Sequence, residues 1–166
     1  MHSMLLLARP LTPEPHMLRT FTPGDGSGVV DLVVAAGMFT RDEAAFLGDV
    51  LVADEATCLV EDAEDGAGLA AVLLYRPEEA ADRAFDLTMI AVRPDLQGGG
   101  RGAALMGHAQ QDLRERGQRL LVVRTSGTAQ YDGTRAFYRR LGYTEHTRVP
   151  DYWTDGDDLV LFTIRL

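Results

Sequence analysis

The segment Gln97-Gly98-Gly99-Gly100-Arg101-Gly102-Ala103-Ala104-Leu105-Met106 constrains this chain more than any other ten residues. An apolar, strand-like run ends just before it, and residues spaced for a helix follow it. A glycine-rich turn in that position can seat a pyrophosphate. Without side chains in the way, successive N–H groups point at phosphate oxygens while the positive end of the helix dipole faces the same anion. Gly98, Gly99, Gly100, Gly102 and Ala103 are the expected cradle, with Arg101 adding a charge-assisted contact.

The rest of the chain bounds what such a loop can serve. At 166 residues and 46% hydrophobic content it suffices for one well-filled domain. Its single cysteine, Cys58, rules out an internal disulfide framework, and no Cys/His cluster has zinc spacing. Flanked by Ala56-Thr57 and Leu59-Val60, Cys58 is expected to pack as a small apolar residue. The expectation is a metal-free, cytoplasmic protein. Met4 to Ala8 is too short to cross a membrane, and residues 1–16 read as an N-terminal arm. The net charge of −9, with all 16 basic residues arginine, argues against nucleic-acid binding and favours a cationic amine as substrate.

Hydrophobic periodicity gives a mixed α/β chain without repeats. Val29–Met38 and Glu43–Leu51 read as helices, the second capped by Thr40 or Asp42. Thr57–Glu61 and Gly68–Tyr75 read as a hairpin across the acidic turn Asp62–Ala67. Leu105, Ala109 and Leu113 mark a helix of about four turns that Gly117 stops. Leu120–Val123 and Asp158–Leu166 read as strands, and Pro150–Asp157 as a loop with a turn at Asp155-Gly156.

Two grammars fit the glycines. From Gly98 the segment is G-x-G-x-x-A, a dinucleotide fingerprint that wants an acidic residue about 20 positions on; there the chain offers Arg124 instead. From Gln97 it is Q-x-x-G-x-G, and here the chain resembles the GNAT superfamily of acetyl-CoA-dependent N-acetyltransferases. Asp86 to Pro94 looks like that family's fourth strand. Arg135 to Tyr143, with an FYxxxG core, looks like its late helix, and Leu18 to Asp25 is similar to its opening strand and loop.

The resemblance implies one domain over residues 17–166, with a central mixed, mostly antiparallel sheet flanked by helices. It implies acetyl transfer from acetyl-CoA to a small-molecule or peptide amine by direct attack, in a bacterial-type enzyme compatible with a homodimer. Backbone groups of Ile90, Ala91 and Val92 would hold the pantetheine arm, and Gln97 belongs to the loop motif. Tyr138 would protonate the departing thiolate. Asp86, placed by strand alternation on the face of Thr88, Ile90 and Val92, is the expected general base, with Asp151 and His146 as reserves. Tyr131 stands where many members carry an asparagine that contacts the cofactor, and Thr134 stands where alanine is usual and is a candidate helix cap. Arg135 is expected to reach CoA phosphates. Asp151, Tyr152 and Trp153 are expected to face the acceptor. A non-catalytic acyl-CoA-binding regulatory domain and an NAD(P)-dependent enzyme are the alternatives.

Overall fold

A computed structural model describes residues 17–52 and 55–166; the arm expected over residues 1–16 lies outside them. Seven strands form one sheet in the order β1-β2-β3-β4-β5-β7-β6. They are β1 Leu18–Thr20, β2 Thr57–Asp62, β3 Leu69–Pro77, β4 Ala84–Val92, β5 Leu120–Ser126, β6 Thr144–Thr154 and β7 Asp157–Arg165. Every pairing is antiparallel except β4 with β5. The helices are α1 Gly26–Ala35, α2 Leu47–Leu51, α3 Arg101–Glu115 and α4 Asp132–Arg140.

The sheet separates two apolar layers, so its central strands are buried on both faces. On β3, Ala71, Leu73 and Tyr75 join the cluster under α3 and α4, while Val72 and Leu74 join the cluster under α1 and α2. Helix α3 contributes Leu105, Met106, Ala109 and Leu113 to the first layer, as its helical spacing predicts. Gly117, at φ 71, ends it as expected. Val29, Leu32 and Val33 of α1, with Leu47 and Leu51 of α2, form the second layer.

Local chemistry sets the ends. Thr40 and Glu43 form a reciprocal capping box, Glu43 Oε2 accepting from Thr40 N at 2.8 Å and Thr40 Oγ1 accepting from Glu43 N at 3.3 Å. The helix expected over Glu43–Leu51 is a 3-10 turn, Glu43–Phe46, followed by the five-residue α2. Thr134 does not cap α4: the helix begins two residues earlier, at Asp132. The loop expected over Pro150–Asp157 is mostly strand, because β6 runs on to Thr154 across a register break between Val149 and Thr154. Cys58 is buried, and burial pushes its thiol up to about 12, in keeping with an inert packing residue.

Candidate active site

The parallel pairing of β4 with β5 covers only Ala84–Leu87 against Leu120–Val123. Beyond it both strands continue, β4 to Val92 and β5 to Ser126, without pairing to each other. The sheet therefore opens into a split, walled by β4 and β5. On β4, Arg93 N donates to Ala70 O of β3 at 2.9 Å. Backbone groups alternate sides along a strand, so those of Ala91 also face β3, and those of Ile90 and Val92 face the split. Ala91 is thus corrected as a backbone contact, since its groups serve the sheet, while those of Ile90 and Val92 are left to the split. Gln97 reaches back across the turn, its Nε2 donating to Val92 O at 2.9 Å, so its side chain braces the strand end.

At that end the glycine loop fits a pyrophosphate. Gly98 and Gly100 adopt φ of 79° and 85°, open to glycine and strained for other residues. A Cβ at Gly98, Gly99 or Gly100 would meet no protein atom within 4 Å, so the space above the loop is clear. The amides of these three glycines donate to no described residue, and α3 starts at Arg101 without a side-chain cap. They join the unpaired amides of the helix's first turn as one run of donors. Gly102 allows close packing on α4, since a Cβ there would lie 3.3 Å from the Phe137 ring.

Arg101 does not face that anion site. It is buried and ion-paired with Glu61 of β2, which fixes the first turn of α3 to the sheet. Arg135 is corrected in the same way. It is 3% exposed, its Nη1 donating to Ser126 O at 2.5 Å and Thr128 O at 3.0 Å, with Asp132 on Nη2. It ties the end of β5 to α4 and has no reach to a phosphate. Tyr131 ends a short 3-10 turn before α4, half-buried.

Tyr138 enters from the α3/α4 layer, among Phe137, Tyr143 and Phe162 at ring separations of 5.3–5.7 Å. It is 3% exposed, and its hydroxyl has no hydrogen-bond partner among the described residues. Burial pushes the phenol well above its ordinary range, with the charge of Asp86 a lesser contribution in the same direction. The group is held protonated, with a donor to spare.

Asp86 sits differently from its expected placement. The β3–β4 register slips between Leu74 and Tyr75, leaving Thr88 as an extra residue on β4. The bulge reverses the strand's phase. Phe85 and Leu87 pack with the α3/α4 layer, and so do Ile90 and Val92, whereas Met89 and Ala91 face α1 and α2. Asp86 therefore points to the face opposite the side chains of Ile90 and Val92. There its Oδ1 accepts from Arg124 Nη1 at 2.5 Å and its Oδ2 from Thr88 Oγ1 at 3.1 Å. Arg124 also holds Glu78 at 2.5 Å, and this contact lowers the Glu78 carboxyl's pKa.

These groups line a cleft of about 450 Å³, bounded by Arg76, Glu78, Glu79, Asp86, Thr88, Arg124, Tyr152 and Trp153. Tyr152 and Trp153 line it, the indole Nε1 donating to Thr125 O of β5 at 3.4 Å. Asp151 is not: at φ 50 it turns its carboxylate away to accept from Gly156 N at 2.6 Å. His146, on β6, bonds Thr163 at 2.7 Å and does not line the cleft. Sequence reasoning missed Arg76, Glu78, Glu79 and the role of Arg124. They meet only through cross-strand register, which no local pattern announces. Among the described residues no group of three or more His, Cys, Asp or Glu could hold a metal ion.

A mostly antiparallel sheet, opened between its one parallel pair and followed by an amide-rich turn, defines the fold of an acyltransferase. The acetyltransferase (GNAT) domain model matches residues 48–145, and the chain belongs to that family. It is an acyltransferase, not a nicotinamide-dependent enzyme. A solved GNAT-family protein from Desulfovibrio desulfuricans is 29% identical, covering 90% of this chain and 98% of that one with a TM-score of 0.82. The ribosomal-protein-S18-alanine N-acetyltransferase of Escherichia coli is 20% identical over 90% and 92% of the two chains, at 0.74. The protein yncA of Salmonella typhimurium, solved with its cofactor acetyl-CoA, is 16% identical over 90% and 93% of the two chains, at 0.68. No curated protein sequence matches the chain. No described helix is long and apolar enough to cross a membrane.

Proposed function

We propose that the protein transfers an acetyl group from acetyl-CoA to an amine by direct attack, without a covalent enzyme intermediate. The observation that carries this reading is the split between β4 and β5, with amides at its outer end and the buried Tyr138 phenol in the layer against which Ile90 and Val92 pack, none of them hydrogen-bonded to a described residue. When bound, acetyl-CoA supplies the activated carbonyl and the thiolate leaving group. The amides of Gly98, Gly99, Gly100, Gly102 and Ala103 hold its pyrophosphate. Ile90 and Val92 offer backbone groups to its extended arm, in the manner of an added strand.

Asp86 and Tyr138 approach from opposite faces of the sheet. Asp86 draws the acceptor's ammonium into the cleft and takes its proton at Oδ2, the oxygen that Arg124 leaves free. Tyr138 gives the proton of its hydroxyl to the departing sulfur. The raised phenol stays protonated throughout the working range; its proton passes to sulfur as the C–S bond breaks, and the second N–H proton of the acceptor, acidic in the tetrahedral adduct, restores the phenol. Tyr152 and Trp153 form the apolar wall against which the acceptor rests.

The test is acetyl-CoA-dependent thiol release with a panel of amines, the acetylated product read by mass spectrometry. Release that needs both substrates supports the reading. Tight acetyl-CoA binding without transfer to any amine would replace it with a regulatory acyl-CoA-binding domain.

A further inference from the structure

Resting on the acetyl-transfer reading, we infer that the acceptor is a zwitterion: a free α-amino acid with an apolar or aromatic side chain. Three features of the cleft point to it. The first is Arg76, cross-strand partner of Asp86 on β3 and therefore on the same face of the sheet. It lines the cleft, is exposed, and has no ion pair or hydrogen bond to any described residue. It does not serve the cofactor's phosphates. The glycine loop lies at the far end of β4, some six residues or about 20 Å from Asp86 at about 3.3 Å per residue.

The second feature is the charge balance. Arg124 is spent on Glu78 and Asp86; with Glu79 and Arg76 the cleft's charged groups sum to one net negative charge, and Asp86 and Arg76 stand as cross-strand neighbours of opposite sign. An ammonium beside Asp86 and a carboxylate on Arg76 complement this pair of opposite charges. An amine without an acid would leave Arg76 without a partner among the described residues. A guanidinium suits a carboxylate because its planar fork can bind both oxygens at once.

The third feature is apolar. Tyr152 and Trp153 pack edge to face at 4.9 Å and stay 53% and 47% exposed. Two large aromatic side chains held in contact with each other and open to the cleft make a platform for an apolar side chain, and the Trp153 hydrogen bond to β5 keeps it in place. The ammonium is fixed by Asp86, the carboxylate by Arg76 and the side chain by the two rings. Three points of attachment also select one enantiomer.

The experiment compares L-phenylalanine and L-methionine with L-phenylalaninamide, D-phenylalanine, spermidine and a peptide with N-terminal alanine, each with acetyl-CoA. The free L-amino acids are expected to show kcat/KM at least about tenfold above the amide, the loss of one charge-assisted pair. Arg76→Gln should collapse the ratio of acid to amide towards one, and Arg76→Lys should keep part of it. A preference for spermidine, the peptide or the amide would overturn the inference, as would an unchanged ratio in Arg76→Gln. Those results leave acetyl transfer standing. Failure of every amine to be acetylated, despite acetyl-CoA binding, would instead overturn the reading on which the inference rests.

Discussion

Replacing Arg101 with methionine removes a buried ion-pair partner of Glu61. The two side chains are 10% and 5% exposed, so neither can recover its hydration without moving the first turn of α3 off β2. Removing one partner of a buried pair costs about 3–5 kcal/mol, most of it the penalty on the charge left behind. Against a total stability of roughly 5–15 kcal/mol the loss is large. At about 2–4 °C per kcal/mol for a chain of this size, the melting midpoint should fall by roughly 6–20 °C. With both groups replaced, as in Glu61→Leu/Arg101→Met, the pair is removed as a unit, and the double variant should be more stable than the sum of the two single losses implies. Urea unfolding of the four proteins of this cycle gives the coupling directly. Single-variant losses below about 1 kcal/mol, or losses that simply add in the double variant, would refute the reasoning. The same cycle tests Arg101's corrected place: Arg101→Met, kept below its melting range, should bind acetyl-CoA within about threefold of the parent, whereas loss of a direct phosphate contact would cost far more.

Three further outcomes follow from the site and its surroundings. Tyr138→Phe should lower kcat by about 10²–10⁴ while acetyl-CoA affinity, read by calorimetry, stays within about twofold; an unchanged kcat would remove the phenol from the reaction. Cys58, its thiol pushed up to about 12 by burial, should resist a thiol reagent at pH 8 in the native protein and react fully in urea, with fast native labelling counting against the packing role. Asp25 is held below the usual carboxylate range chiefly by its hydrogen bonds to Arg19. A depressed carboxyl stabilises above its unfolded pKa, about 3.9, and that contribution is lost as pH falls through the folded value. Asp25→Asn should therefore be less stable at neutral pH and lose less on acidification below about 4; parallel acid-unfolding curves would refute the linkage.

Features that depend on local spacing were readable from the sequence, and features that depend on register were not. The glycine turn, α3 with its Gly117 stop and the β2–β3 hairpin each carry their signal within one short continuous segment, and all stand where the sequence puts them. Thr88 gives no such signal. A bulge is set by what the partner strand does, so alternation alone placed Asp86 with Ile90 and Val92 when the extra residue turns it to the other face. Arg101 and Arg135 failed for a related reason. An arginine beside an anion-binding loop looks like a phosphate contact, but its long side chain goes where a buried acceptor lies, and Glu61 and Ser126 sit on other elements, outside the helical spacing that can be read from the sequence. Asp151 shows the limit of reading a loop by composition, since its carboxylate closes the turn at Gly156 and never reaches the cleft.

The central claim, that the split and its glycine turn seat acetyl-CoA, is tested most directly by calorimetric titration of the full chain with acetyl-CoA beside the Gly100→Asp variant. Gly100 holds φ 85 at the start of α3, so an aspartate there adds strain, bulk and a negative charge against the same phosphates. Saturable one-site binding by the parent and none by the variant, with circular dichroism showing the variant folded, is the predicted result. Absence of heat with the parent, or equal affinity in the two proteins, would contradict the account.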